Sequence, residues 1–291
     1  MRRFLEVQDT GSVTLTTATQ NQTEAKAAIL GDITSMLLVI TNSTTGTLTG
    51  AKTLPNAVNL CTISDSNHNV LATFPGSEIP YLSFLTSPRG TFQAGSTVSS
   101  TSTTNQWEIA LPWKQLISPI YFKLTIEAYS NLATSGATGG STEVVTNVYY
   151  EDDPTITANI LSHKLILFDK AVVSGSNDVS SQLTQAVSMV QVAERMTSGT
   201  DTNFTNTTLR EDGATVLESI TLAALTERDA IATVSGHQAG FFILPHSPFV
   251  PDGATQLLIQ ASGSDTARIY QLFVVATPSA PQSPNQQPGA A

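Results

Sequence analysis

The sequence predicts an all-β fold, an antiparallel sandwich or barrel with long loop insertions and one or two short helices. About a dozen short segments alternate apolar and polar residues or form apolar runs, and Gly, Pro, Asn or Ser bound them. No regular alternation of strand and helix patterns accompanies them, which argues against a parallel α/β sheet. Threonine, a β-branched residue that favours strands, is abundant along the whole chain.

Twelve segments carry the strand pattern, and two pairs of them predict hairpins. The hairpins span Leu60–Phe74 and Leu257–Val275, and in the second Gly263 would supply the positive φ that a tight turn needs. The predicted strands are Ser12–Ala18, Thr34–Thr41, Val58–Ser64, Asn69–Phe74, Tyr81–Thr86, Trp107–Leu111, Ile120–Tyr129, Glu143–Tyr150, Lys164–Phe168, Gly240–Leu244, Thr255–Ala261 and Ala267–Ala276.

Two further segments have apolar residues at helical spacing, Ser180–Met196 and Thr215–Ala230, although the first also fits a strand in part. Both lie between groups of strands, so residues 171–235 are interpreted as a decoration of the fold. We expect one domain over residues 1–277. Residues 278–291 are rich in proline and uncharged, which predicts an extended tail.

Charge excludes one class of function. The chain of 291 residues has a net charge of −10, and only 12% of its residues are charged. Binding to duplex nucleic acid needs clustered cations that displace counterions, and the cations here are spread thinly. We therefore expect no direct sequence-specific binding of nucleic acid.

The start of the chain carries the one basic spot, Arg2 and Arg3. The simplest interpretation is two solvated charges; the alternative is a short arm that touches anionic lipid or a neighbouring subunit. Glu6 and Asp9 interrupt what would be the apolar stretch of a signal peptide, so we expect synthesis in the cytoplasm without export. The apolar run Met36–Ile40 is far too short for a membrane helix.

An acidic triplet, Glu151, Asp152 and Asp153, precedes Pro154. Carboxylate oxygens suit a hard divalent cation, but adjacent residues of an extended chain point to opposite sides. The favoured interpretation is a solvated acidic turn, and the alternative is an ion bridging two subunits.

Motifs for catalysis and for cofactors are missing from the sequence. The four histidines lie apart without the spacing of a metal site, and no serine nucleophile elbow or phosphate-binding glycine loop is present. The single cysteine, Cys61, stands in an alternating apolar run and is interpreted as a small buried hydrophobe. We therefore expect a protein that is not an enzyme and binds no cofactor.

Aromatic residues leave two functions open. Trp107 and Trp113 bracket a short segment, and five more aromatics cluster near the C-terminus. Aromatics of a β protein are usually core, which favours a structural role. The alternative is an exposed platform on a carbohydrate-binding or receptor-binding surface or fibre module.

A resemblance to a known family rests on the start Met1–Leu5 and the closing segments Gly240–Pro245, Gln256–Gln260 and Arg268–Val275. With these segments the chain resembles the larger major capsid protein of tailless icosahedral membrane-containing Thermus phages. The resemblance implies one jelly roll, and a virion coat subunit that self-assembles with a second capsid protein around an internal membrane and genome. It also implies subunit contacts through the two terminal arms, at Arg2, Arg3, Pro278, Pro281, Pro284 and Pro288.

Overall fold

The computed structural model describes sixteen ranges of the chain. It covers residues 3–7, 12–15, 20–27, 32–44, 52–64, 70–86, 92–97, 103–109, 120–127, 142–153, 161–183, 188–211, 214–232, 235–245, 248–251 and 255–276. No helix within these ranges is long and apolar enough to cross a membrane.

Among the described residues, the part of the chain up to residue 153 contributes nine strands and two α-helices. They are β1 Arg3–Val7, β2 Ser12–Leu15, β3 Gln20–Ala27, β4 Asp32–Thr44, α1 Leu54–Ala57, β5 Val58–Ser64, β6 Val70–Phe74, α2 Ile79–Thr86, β7 Thr103–Ile109, β8 Ile120–Glu127 and β9 Thr142–Asp153. A 3₁₀ turn, Gly76–Glu78, leads into α2.

From residue 161 onward, the described ranges contain eight strands and one α-helix. They are β10 Leu161–Val172, β11 Gly175–Asp178, β12 Ser188–Met196, β13 Phe204–Glu211, β14 Ala214–Thr221, α3 Leu222–Ala232, β15 Phe241–Ile243, β16 Gln256–Ala261 and β17 Asp265–Ala276.

Strands β10–β17, hereafter the second roll, pair as a jelly roll. Four of them form a sheet in the order β15-β12-β17-β10, and the other four form a sheet in the order β11-β16-β13-β14. The chain crosses repeatedly between the two sheets, and all pairings within each are antiparallel. Eight strands wound in this way are the pattern of a double Greek key.

Strands β1–β9, hereafter the first roll, pair in the same jelly-roll pattern. One sheet runs β1-β9-β4-β7, with β2 also pairing with β9, and the other runs β3-β8-β5-β6. Strand β6 then pairs in parallel with β10 through Ala72 and Leu165, which joins one sheet of each roll into a single eight-stranded sheet.

The predicted all-β jelly-roll class is confirmed, but this pairing contains two jelly rolls rather than the one expected over residues 1–277. Residues 171–235 are not a decoration, because β12 lies inside a sheet between β15 and β17. The sequence conceals the repeat because equivalent strands need only the same apolar pattern, which unrelated side chains can supply.

Four local predictions are wrong in whole or in part. The predicted helix over Thr215–Ala230 begins only at Leu222, because Thr215–Thr221 belong to strand β14. Tyr81–Thr86 lies in helix α2 rather than a strand, with Pro80 in the first helical turn, where its missing N–H costs nothing. Residues 188–196 of the predicted helix form β12, because alternate residues face the core and a bulge shifts the register. Strands β16 and β17 belong to different sheets, so they form no hairpin, and Gly263 is not among the glycines with positive φ.

The interior of the second roll is apolar and continuous. Its buried cluster draws on both sheets, and Phe204 of one sheet stacks on Phe242 of the other with ring centroids 4.0 Å apart. From β12, Val192 and Met196 face this core, while Arg195 faces the opposite side of the sheet. That opposite side is where the first roll makes contact.

Candidate functional site

The predicted acidic site lies in a strand. Glu151–Asp153 are the last residues of β9 and pair with β1 on one side and β4 on the other, so the interpretation as a turn is wrong. Arg3, in β1, stands opposite Asp152 in this register. Residue Arg2 and the tail residues Pro278, Pro281, Pro284 and Pro288 lie outside the described part of the chain.

Chemistry based on metals or thiols finds little support in the described residues. Within those ranges, no three His, Cys, Asp or Glu side chains are grouped as metal ligands. Cys61 is fully buried, and this burial raises the pKa of its thiol. The prediction of a small buried hydrophobe is therefore confirmed, since the reactive thiolate form is disfavoured.

The aromatic residues named in the sequence are core where the structure describes them. Trp107 is 2% exposed and donates its indole N–H to the carbonyl oxygen of Gln93 over 2.9 Å. The five aromatics of the C-terminal part are buried as well: Phe241, Phe242, Phe249, Tyr270 and Phe273. These residues form no exposed platform, and Trp113, the other aromatic of that prediction, lies outside the described residues.

The most elaborate polar site is the junction between the two rolls, centred on Glu78. This carboxylate is fully buried, on the 3₁₀ turn of the first roll. Its Oε1 accepts hydrogen bonds from Arg195, over 2.6 Å, and from Arg268, and its Oε2 accepts one from the hydroxyl of Tyr270. One acid of the first roll is thus bound by three side chains of the second.

Arg268 links the buried site to the surface. Its Nε and Nη2 donate to the two oxygens of Asp169 over 2.7 and 2.8 Å, a bidentate pair. The hydrogen bond from Arg268 lowers the pKa of Asp169. Burial, and then the nearby carboxylate of Glu78, raises the pKa of Tyr270 well above its usual range. The tyrosine therefore remains a hydrogen-bond donor at any ordinary pH.

Aromatic rings enclose this ionic cluster. Tyr81 and Phe84 of helix α2 lie 5.2 and 6.2 Å from the ring of Phe241 in β15, centroid to centroid. Phe241 in turn meets Tyr270 edge to face at 5.5 Å, and Arg195 lies over the ring of Tyr81 at 4.1 Å. Apolar rings around a paired charge exclude water and strengthen its hydrogen bonds.

Gly76 allows the turn to approach the neighbouring backbone. A Cβ on this residue would lie 2.2 Å from the carbonyl oxygens of Pro55 and Val58. The turn can therefore pack against helix α1 and the start of β5 only with glycine at this position, and this packing fixes Glu78 beside the second roll.

Sequence reasoning missed the junction because Glu78 is separated from Arg195 and Arg268 by 117 and 190 residues. No local motif marks such a cluster. The sequence offers only an indirect hint: in a chain with few charged residues, Arg268 interrupts an apolar segment that is predicted to be a strand.

A second buried acid, Glu194, lies inside the second roll. It is fully buried on the core face of β12, and its Oε1 lies 2.9 Å from the hydroxyl of Thr207 in the opposite sheet. Its Oε2 has no hydrogen-bond partner. Burial raises the pKa of Glu194 to about 8.

The hydrogen bonds around Thr207 agree with a protonated Glu194. The hydroxyl of Thr207 lies 3.2 Å from the carbonyl oxygen of Leu258, as well as near Glu194. One hydroxyl proton cannot serve both acceptors. If Glu194 carries a proton, it donates to Thr207, which donates to Leu258, and both contacts are hydrogen bonds.

Comparison with known proteins gives a result for structure but none for sequence. No known family profile and no curated protein sequence matches the chain. The major capsid protein of STIV, the Sulfolobus Turreted Icosahedral Virus, superposes with a TM-score of 0.68 at 14% identity, covering 95% of this chain and 97% of that chain.

Two other structures extend the match. The major capsid protein of bacteriophage PM2 gives a TM-score of 0.62 at 13% identity, over 96% of this chain and 99% of that chain. The Faustovirus major capsid protein gives 0.53 at 8% identity, over 96% and 90%. The chain therefore has a fold found in viral major capsid proteins.

Proposed function

We propose that the protein is a major capsid protein, a structural subunit that assembles in many copies into the shell of an icosahedral virion. The observation that carries this proposal is the superposition of the whole chain, both rolls included, on viral major capsid proteins. The proposal is for a protein without enzymatic activity that resides in the virion.

The junction supports a role as a building block. Shell subunits bury large surfaces against each other, so a chain of two rolls serves best if the rolls keep one relative position. The buried Glu78 cluster and the aromatic rings around it hold the rolls together without any disulfide. A low density of surface charge also limits repulsion between identical acidic copies at close range.

Finer features of the proposal rest on the sequence. They are a second capsid protein as partner, contact of Arg2 and Arg3 with an internal membrane or neighbour, and a tail that clamps an adjacent subunit through Pro278, Pro281, Pro284 and Pro288. The resemblance to the Thermus phage proteins lends little support to these features, because it implies one jelly roll and the strands pair as two.

The purified full-length chain tests the proposal. Its mass in solution is measured by light scattering across concentration and salt, and the sample is imaged by negative-stain electron microscopy. We expect oligomers of defined copy number, and sheets or shells under assembly conditions. A chain that stays a single copy throughout and binds a defined glycan on an array would contradict it.

A further inference from the structure

Helix α3 lies in the connection between β14 and β15, at one end of the second roll. The turns at residues 197–203 and 262–264 lie at the same end, and they are tied to each other through Asn203, whose backbone oxygen accepts from the N–H of Ser262 over 3.0 Å. Helix α3 buries Leu225 completely, but Ile231 near its C-terminus is 89% exposed. The apolar contact between the helix and the second roll is therefore small, and polar contacts must contribute to its attachment.

His237 supplies those contacts, because each of its ring nitrogens faces a carboxylate. Nδ1 lies 3.2 Å from Oδ2 of Asp229, in helix α3. Nε2 lies 3.1 and 3.2 Å from the two oxygens of Asp201, in the turn after β12. Asp229 is only 1% exposed, so protein groups, His237 among them, must take the place of water around its carboxylate.

The surrounding contacts fix the position of the imidazole. Its ring stacks on Phe242 with centroids 5.5 Å apart, and Asp201 also accepts the backbone N–H of Gly240 over 2.6 Å. The next charge outward is Arg228, whose Nη1 lies 3.8 Å from Asp229 and donates to the carbonyl oxygen of Ile243. Carboxylates thus face the histidine from the helix and from the turn, and the strand offers only the Phe242 ring.

Two protons on His237 satisfy both contacts of this arrangement. A neutral imidazole has one N–H, so one of its nitrogens would turn a lone pair toward a carboxylate. The doubly protonated ring donates on both sides and neutralises part of the acidic pair. The hydrogen bond to Asp229, and then that to Asp201, raises the pKa of His237 above its ordinary value.

We propose that Asp201, His237 and Asp229 form a pH-sensitive latch that ties helix α3 to the end of the second roll and loosens as the solution becomes alkaline. While the histidine is charged, the helix is bound to the turn at residues 197–203 through one side chain. When the histidine loses a proton, one of the two contacts becomes repulsive and the helix opens without unfolding of the sheets. This inference does not depend on the proposed shell function.

Hydrogen–deuterium exchange of the full-length chain, read by mass spectrometry, tests the latch. Exchange of the peptide containing α3 is measured between pH 6 and pH 9 and corrected for the intrinsic effect of pH on the rate. Loss of one charge-assisted hydrogen bond should lower the protection of α3 about tenfold at the upper pH. The same loss should occur in Glu194→Gln, in which β17 stays equally protected at both pH values because the buried acid of β12 is gone. Equal protection of α3 at both pH values would overturn the proposal.

Two variants distinguish the effect of His237 from that of the other histidines. His237→Gln should show weak protection of α3 at every pH, whereas the matched control His163→Gln, in β10, should keep the pH dependence of the wild type. Nitrogen NMR of the wild-type imidazole gives an independent reading that does not require a folded variant. His237 should carry protons on both nitrogens at pH 7, and a singly protonated ring there would also overturn the proposal.

Discussion

Glu194 should make the stability of the protein fall as the pH rises, and Glu194→Gln should remove most of that dependence. The pKa of this carboxyl is about 8 in the fold, against an ordinary value of 4.5. The folded state therefore binds a proton that the unfolded state releases between these pH values. Its contribution to stability is complete below about pH 4.5 and is lost by about pH 8.

The size of the effect follows from the difference between the two pKa values. The difference of about 3.5 units, at about 1.4 kcal/mol per unit, corresponds to about 5 kcal/mol of stability lost across this range. A neutral glutamine has the same shape and no charge to bury. Near pH 5 it should change stability by about 1 kcal/mol or less, and near pH 8.5 it should stabilise the protein by several kcal/mol.

Urea unfolding at a series of pH values measures the free energy of unfolding of the wild type and of Glu194→Gln. The matched control is Glu227→Gln, the same substitution on the exposed face of α3, which should run parallel to the wild type. If the gap between Glu194→Gln and the wild type is the same at pH 5 and pH 8.5, the buried acid is not protonated in the fold and the reasoning fails.

Three further predictions concern the junction, the turn and the tail. Glu78→Gln should destabilise the protein by about 3–5 kcal/mol, because it leaves two arginines without their buried partner, whereas Tyr270→Phe should cost about 1–3 kcal/mol. Urea unfolding measures the stability of both variants, and equal small costs would contradict the role of the cluster. Gly76→Ala should cost about 3 kcal/mol of stability, because its Cβ would clash with backbone. Gly175→Ala, at a φ of 111° with open space around it, should cost about 1 kcal/mol. Comparable thermal midpoints of the two variants would refute the close packing of Gly76 against the backbone of Pro55 and Val58. Deletion of residues 278–291 should leave the thermal midpoint of the isolated chain unchanged but impair assembly, and a large loss of stability would show that the tail belongs to the fold rather than to a contact between subunits.

Hydrophobic alternation was enough to predict the strands that have one clear apolar face. Strands β4, β5 and β17 appear close to where the pattern placed them. The segment that contains β12 also predicts a helix, because Leu183, Val187 and Val190 fit helical spacing. The choice between the two depends on neighbouring strands, which a local pattern does not contain.

The number of jelly rolls and the junction depend on contacts between distant parts of the chain. Several strands of the second roll, among them β11 and β13, are rich in Ser, Thr and Asn and gave no apolar signal. Without them the sequence predicts twelve strands, too few to indicate two rolls of eight strands each. Glu78 and His237 looked like isolated polar residues, because their partners lie on other elements and only the fold brings them together.

The proposal that this chain forms the shell of a virion can be tested in its native source. The most direct measurement is size fractionation of a nuclease-treated lysate of the native source, with the chain located by quantitative mass spectrometry and the fractions imaged by electron microscopy. We expect the chain to be an abundant component of multi-megadalton particles that protect nucleic acid. Recovery of the chain only as a small species, outside any particle, would contradict it.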